Sequence, residues 1–248
     1  MRLTIEKRWS IYIDIEGFGD LYETEDQILL SLGDLMEGIY LIGTHYYCES
    51  PDRIFAHQTG DGFAVIGEFC TNTLEVPIAI AIALMRHVAA RGLFAKATIA
   101  EGTFADIAGL YPASVLAARD ENGRVPLGRG IMTLFSGMGS ALIHAVALAK
   151  ISPSGALLTL ADETSSRLPD GCLFLKIFER KLISVDWIHS SFPLVSEIQS
   201  KSGLKTPTPA ELRTCFSNYF RMPGLKEEWK ANSNWFLSLA LCCHETSE

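Results

Sequence analysis

The sequence predicts an α+β fold in which one mixed or antiparallel sheet carries helices, followed by a C-terminal extension. Two observations lead there. Strand-like runs and helical stripes follow one another as strand, helix, strand pair, helix, strand, without the regular strand-helix repeat that builds a parallel sheet. After about His189 the composition shifts, with Lys201-Ser202-Gly203 and Pro207-Thr208-Pro209 ahead of a helical stretch. Residues 1–189 are therefore expected to form the main domain and residues 190–248 a helical appendage packed on it or on a second subunit, since about 60 residues alone bury little core.

Element by element, Trp9 to Ile15 is a short β-rich run broken by Gly17 and Gly19. From Thr24 to Ile42 apolar residues recur at Ile28, Leu29, Leu32, Leu35, Met36, Ile39 and Tyr40, a helical stripe. Arg53 to His57 and Gly62 to Ile66 are β-rich and meet at Gln58-Thr59-Gly60-Asp61, a turn composition that predicts a hairpin with Asp61 near its tip. Pro77 to Arg91, apolar and rich in Ala, ends at Gly92 as a buried helix with a glycine cap. A strand at Phe94 to Phe104, a short helix at Ala113 to Arg119, a strand at Ile131 to Phe135, a helix at Ser140 to Lys150 and a strand at Ala156 to Leu160 follow. Leu173 to Phe178 and Lys181 to Trp187 form a final hairpin, and Glu211 to Phe220 is helical, with Trp229, Trp235 and Phe236 expected to pin the appendage down.

Composition narrows the function. The 248 residues are 48% apolar and 20% charged, with a formal charge of −8, which excludes disorder, coiled coil and collagen. A net acidic chain repels polyanions at long range, so neither an extended nucleic-acid surface nor an anionic membrane is an expected partner. The longest apolar run, Val76 to Met85, is about half of the roughly 20 residues that cross a bilayer. Residues Met1 to Arg8 lack the apolar core of a signal peptide, so the expectation is a cytoplasmic protein with reduced cysteines. The cysteines show no CxxC pairing that would hold a tetrahedral metal and are expected to act as small buried hydrophobes.

Two aspartates carry the chemistry. Asp14 in I-Y-I-D-I-E-G-F-G and Asp61 in H-Q-T-G-D-G-F each end a strand beside glycine, where backbone approaches a ligand closely. If their strands are neighbours, both carboxylates serve one spot suited to hard divalent cations. At this point the sequence resembles the class III nucleotide cyclases, the family of adenylate and guanylate cyclases. D-I-E-G-F looks like that family's first metal motif and T-G-D-G-F its second, while K-A-T-I-A-E-G at Lys96 to Gly102 and S-P-S-G-A-L-L-T-L at Ser152 to Leu160 are similar to two of its strands. The resemblance runs from about Trp9 to Trp187.

The resemblance implies a ferredoxin-like or palm-type sheet and a site made of particular positions. Asp14, Asp61 and the Ile15 carbonyl would hold two Mg²⁺ or Mn²⁺ ions. Gly17, Phe18 and Gly19 would offer amides to phosphates, a nest for an anion. Lys96 stands where the family has a triphosphate-binding Arg, and Lys181 matches a basic residue near the last hairpin. It further implies a head-to-tail homodimer, with metal aspartates from one subunit and the base-reading side from the other.

The departures are specific. Purine cyclases read their base from a Lys or Glu three residues before the hairpin Gly-Asp and from a second position near Thr133; here the first is His57, and neither residue reproduces the purine pattern. His with Thr suits the donor and acceptor groups of a smaller ring. The family's transition-state Asn and Arg are missing, with Ser140, His144 or Lys150 in the matching segment. This divergence, together with V-D-W-I-H-S at Val185 to Ser190, looks like the bacterial pyrimidine cyclases of the Pycsar anti-phage systems. The reading is a uridylate cyclase that makes cyclic UMP from UTP as a messenger for a separate effector. A cytidylate cyclase acting on CTP, a diguanylate-cyclase-like enzyme and an inactive nucleotide-sensing module of the same fold stay open.

Overall fold

Alternation of side chains sets the first strand. In β1 (Lys7–Ile15) Ile11, Ile13 and Ile15 are buried on one face while Ser10, Tyr12 and Asp14 take the other, the two-residue period of a pleat. The computed structural model describes residues 7–17, 26–50, 54–69, 72–222 and 224–245. After β1 come α1 (Asp26–Leu41), β2 (Phe55–Thr59), β3 (Gly62–Phe69), α2 (Glu75–Ala89) and β4 (Ala95–Thr103). These four strands are antiparallel in the order β4-β1-β3-β2, the split β-α-β arrangement of ferredoxin-like folds.

Next the chain leaves the main sheet. β5 (Ala105–Asp106), α3 (Ala113–Ala118), β6 (Arg124–Leu127), β7 (Gly130–Thr133) and β8 (Gly137–Met138) form two short ribbons, β5 with β8 and β6 with β7. It returns through α4 (Ser140–Ile151) to β9 (Leu158–Ala161), which runs parallel to β4, and to the hairpin of β10 (Phe174–Ile177) and β11 (Leu182–Val185). The sheet then has seven strands in the order β10-β11-β9-β4-β1-β3-β2. Among the described residues three helices follow: α5 (Pro193–Ser202), α6 (Pro209–Tyr219) and α7 (Glu227–Glu245).

The helices divide the two faces. Ile78, Ile82 and Met85 of α2 share one hydrophobic cluster with Ile11, Ile13 and Ile15. On the opposite face α4 lies over β4, where Thr98 Oγ1 donates to the Ala145 carbonyl at 2.8 Å. The same cluster continues into the last helices, with Phe216 of α6 stacked on Phe94 at 3.9 Å between centroids and Phe236 of α7 on Trp187 at 6.4 Å. The V-D-W-I-H-S run joins the parts: Arg86 donates to the carbonyls of Trp187, Ile188 and Ser190, and Asp186 accepts from the amides of Ile188 and His189.

Four expectations need correction. The apolar stripe of α1 does not all face the core: Leu35 and Ile39 are buried, but Leu29, Leu30, Met36 and Tyr40 are exposed, because the buried face turns toward α2 through Ser31, Asp34 and Gly38. Gly38 there admits Leu84 and His87 so closely that a Cβ would meet them at 3.0 and 3.2 Å. The strand expected at Ile131 to Phe135 ends at Thr133 and belongs to a separate ribbon, since its residues pair only with β6. Cys48 is exposed, and Cys172 and Cys215 are partly buried. Trp229 and Phe236 do pin the appendage, whereas Trp235 is 37% exposed. Among the described residues, no helix is long and apolar enough to cross a membrane.

Candidate functional site

The register of the sheet lines up the site. Asp14 lies opposite Gly62 of β3 and Lys96 of β4, and Gly62 lies opposite Thr59, so one cross-strand row reads Thr59, Gly62, Asp14, Lys96. The row two residues away reads His57, Ala64, Tyr12, Thr98 on the same face. At the end of β1 the Ile15 amide donates to the Asp61 carbonyl at 3.4 Å, which fastens the Asp14 turn to the hairpin tip. The strands carrying the two aspartates are thus direct neighbours. Gly62 leaves room between them: a Cβ there would stand 2.8 Å from Asp14 Cβ and 2.8 Å from the Ile13 carbonyl.

Electrostatics marks this spot as short of positive charge. Asp14 Oδ1 is buried without a hydrogen-bond partner. Burial first and the Glu16 carboxylate next push Asp14 up to about 7; Lys96 pulls it down and Asp61 adds to the rise. Glu16 is raised as well, chiefly by burial, with Lys96 and the Gly155 amide opposing. Burial and then Asp14 raise the Tyr12 hydroxyl. An orphaned carboxylate oxygen in a cluster of oxygen donors fits a hard divalent cation, so the residues present suit the ions that the motifs imply.

Other expected residues fall in different places. Lys96 is buried, and its Nζ donates to the Ala149 and Ser152 carbonyls at the end of α4, each at 3.1 Å. Its charge therefore serves Asp14 and Glu16 from inside the protein. His57 is on the site face, two strands from Asp14, with its ring 3.7 Å from that of Phe135; burial lowers its pKa and keeps it neutral. Thr133 is exposed at the end of β7, two residues before Phe135. Gly17 adopts φ +82 just past β1, whereas Phe18 and Gly19 lie outside the described residues.

Lys181 does not reach the site within this chain. It precedes Leu182, which pairs with Ala161 at the far end of β9, while Leu158 at the near end lies beside Ala97. Three strand spacings, about 14 Å, separate β11 from β1 as well. His144 and Ser140 are equally remote, His144 Nδ1 donating to the Glu101 carbonyl at 2.9 Å and Ser140 bonding Thr103. Lys150, in the last turn of α4, is at the Lys96 end.

Sequence reasoning missed Tyr12 and Glu16. The signal was available: Ser10, Tyr12, Asp14 and Glu16 alternate with three isoleucines. It also missed Asp34, Glu37 and His87, where, among the described residues, three ligating side chains come within 4.8 Å of one another. That group is already engaged. Arg91 forks both oxygens of Asp34, and the Lys205 amide donates to His87 Nδ1 at 3.0 Å, leaving the ring proton on Nε2. A metal at Nε2 would have to displace that proton.

No family model and no curated protein matches this chain. Among solved structures it is similar to a crystal structure of the guanylyl cyclase Cya2, at 10% identity and a TM-score of 0.41, over 75% of this chain and 94% of that one.

Proposed function

We propose that this chain is a nucleotide cyclase of the class III type that converts UTP to 3′,5′-cyclic UMP and diphosphate. The observation that carries this reading is the pairing of β1 with β3, which sets Asp14 beside the Asp61 turn and leaves a buried carboxylate oxygen unpartnered. In the reaction the ribose 3′-hydroxyl attacks the α-phosphorus and gives up its proton to solvent, the bond from that phosphorus to the bridging oxygen of the β-phosphate breaks, and diphosphate leaves. Phosphoryl transfer asks for positioning and charge rather than covalent chemistry from the protein.

Asp14, Asp61 and the Ile15 carbonyl would hold two Mg²⁺ or Mn²⁺ ions, which when bound supply the positive charge that offsets the attacking oxygen and the leaving diphosphate. Lys96 lends the Asp14 and Glu16 carboxylates positive charge while its ammonium is held by the Ala149 and Ser152 carbonyls. The amides of Gly17, Phe18 and Gly19 would meet the phosphates in this reading. His57, neutral and tilted against Phe135, offers one ring nitrogen as donor and one as acceptor to a pyrimidine edge. A homodimer completes the site in this reading, and the exposed apolar side chains of Leu127, Ile131 and Met138 on the ribbons support it.

Asp14→Ala and Asp61→Ala, purified and incubated with UTP and Mn²⁺, are each expected to form no cyclic product. Unchanged turnover in either variant would overturn the assignment. Cytosine reverses uracil at two edge groups, with a donor in place of the acceptor at C4 and an acceptor in place of the donor at N3, so CTP in a parallel reaction separates uridylate from cytidylate cyclase.

A further inference from the structure

The end of α6 and the start of α7 reach the Asp14 turn. The Glu16 amide donates to the Phe94 carbonyl at 2.9 Å, and Phe94 is packed against Phe216, Tyr219 and Trp229 of α6 and α7. Tyr219 Oη donates to the Glu16 carbonyl at 3.3 Å. The Trp229 indole N–H is buried and faces the Glu16 carboxylate without completing a hydrogen bond of good geometry.

A second route reaches the same residue from α7. Asn232 Nδ2 donates to the Ser154 carbonyl at 2.8 Å, and the Ala156 amide donates to Ser233 Oγ at 3.3 Å. The loop held in this way presents the Gly155 amide to Glu16 Oε2 at 3.2 Å. Glu16 is thus gripped at its carbonyl by the appendage and at its carboxylate by a loop that the appendage holds. It follows Ile15 directly, and the peptide bond that joins them contains the Ile15 carbonyl.

We propose that α6 and α7 are part of the cation site: Tyr219 through the Glu16 carbonyl, and Asn232 through the Ser154–Ala156 loop, are positioning residues for Asp14 and the Ile15 carbonyl. The inference rests on the reading of Asp14 and Asp61 as cation ligands. Neither residue touches the ion. Each restricts the turn that does, so that a cation meets ligands already in place and loses less entropy in ordering them. An isolated hydrogen bond of this kind, when removed, changes a local equilibrium by about two- to tenfold.

The test uses the full chain without nucleotide and reads Mn²⁺ binding from the resonance signal of the free ion. Tyr219→Phe and Asn232→Ala are expected to weaken Mn²⁺ binding about two- to tenfold each, while the thermal midpoint of the metal-free protein stays within about 3 °C of the parent. Phe236→Leu, a change on α7 that touches Trp187 rather than Glu16, is expected to lower the midpoint and leave the Mn²⁺ dissociation constant unchanged. Unaltered Mn²⁺ binding in both Tyr219→Phe and Asn232→Ala, with binding lost in Asp14→Ala, would overturn the inference and keep the cyclase reading. Equal weakening in Phe236→Leu would overturn it too, by showing general loosening. Unaltered binding in Asp14→Ala would remove the cation site itself.

Discussion

Asp14 concentrates the conflict between folding and function. Its carboxyl is raised to about 7 in the folded protein, chiefly by burial, against about 3.9 in an unfolded chain. Between those values the folded state binds the extra proton, so stability is present below pH 4 and is lost as pH rises through 7, by on the order of 4 kcal/mol. Asp14→Asn removes the titration. The metal-free variant is therefore expected to melt several degrees above the parent at pH 8, with the gap closing toward pH 5, as calorimetry would record. A gap that does not change with pH would contradict the origin assigned to the shift. That Asp14 and the Asp61 turn lie side by side was legible because each closes a β-rich run near glycine, and the pairing of β1 with β3 brings the two together. Lys96 was legible as a cation near the site but not in its direction: its capture by the Ala149 and Ser152 carbonyls depends on where α4 ends, which no local pattern encodes.

The β2–β3 hairpin is the element that makes the site geometry, and Gly62 is its tightest point. Gly62→Ala places a methyl 2.8 Å from the Ile13 carbonyl, so β1 and β3 must separate locally. Overpacking of that kind costs about 1–3 kcal/mol. The variant is expected to melt several degrees lower and to bind Mn²⁺ far more weakly; wild-type binding in a folded Gly62→Ala would show that the close approach does not matter. Periodicity exposed β1, the hairpin and α2 because each has one apolar period and clear glycine punctuation. It failed for α1, whose stripe is wider than the face that packs, leaving Leu29 and Tyr40 outside. It failed again for Ile131 to Thr133, where β propensity is real but the partner strand lies in a ribbon rather than in the sheet. Lys181 shows the same limit, since the strand order β11-β9-β4-β1 that keeps it from Asp14 is a long-range property.

For the molecule as a whole, the core passes from the ferredoxin-like sheet into the C-terminal helices without a break. The aromatic residues past position 200 announced packing, but only the folded chain shows that they converge on Phe94, one hydrogen bond from Glu16. The exposed ribbons belong to this scale too. Ile131 is 61% exposed and Leu127 58%, side by side on one ribbon. If a second copy covers them, sedimentation will give a dimer, and Ile131→Asp will give a folded monomer with no cyclase activity; an active monomer would contradict the shared site. One measurement reads the chemistry itself. The purified protein is incubated with Mn²⁺ and, separately, with ATP, GTP, CTP and UTP, and the products are resolved by mass. The predicted result is 3′,5′-cyclic UMP with diphosphate, from UTP in preference to the other three. No cyclic product from any of the four would contradict that reading.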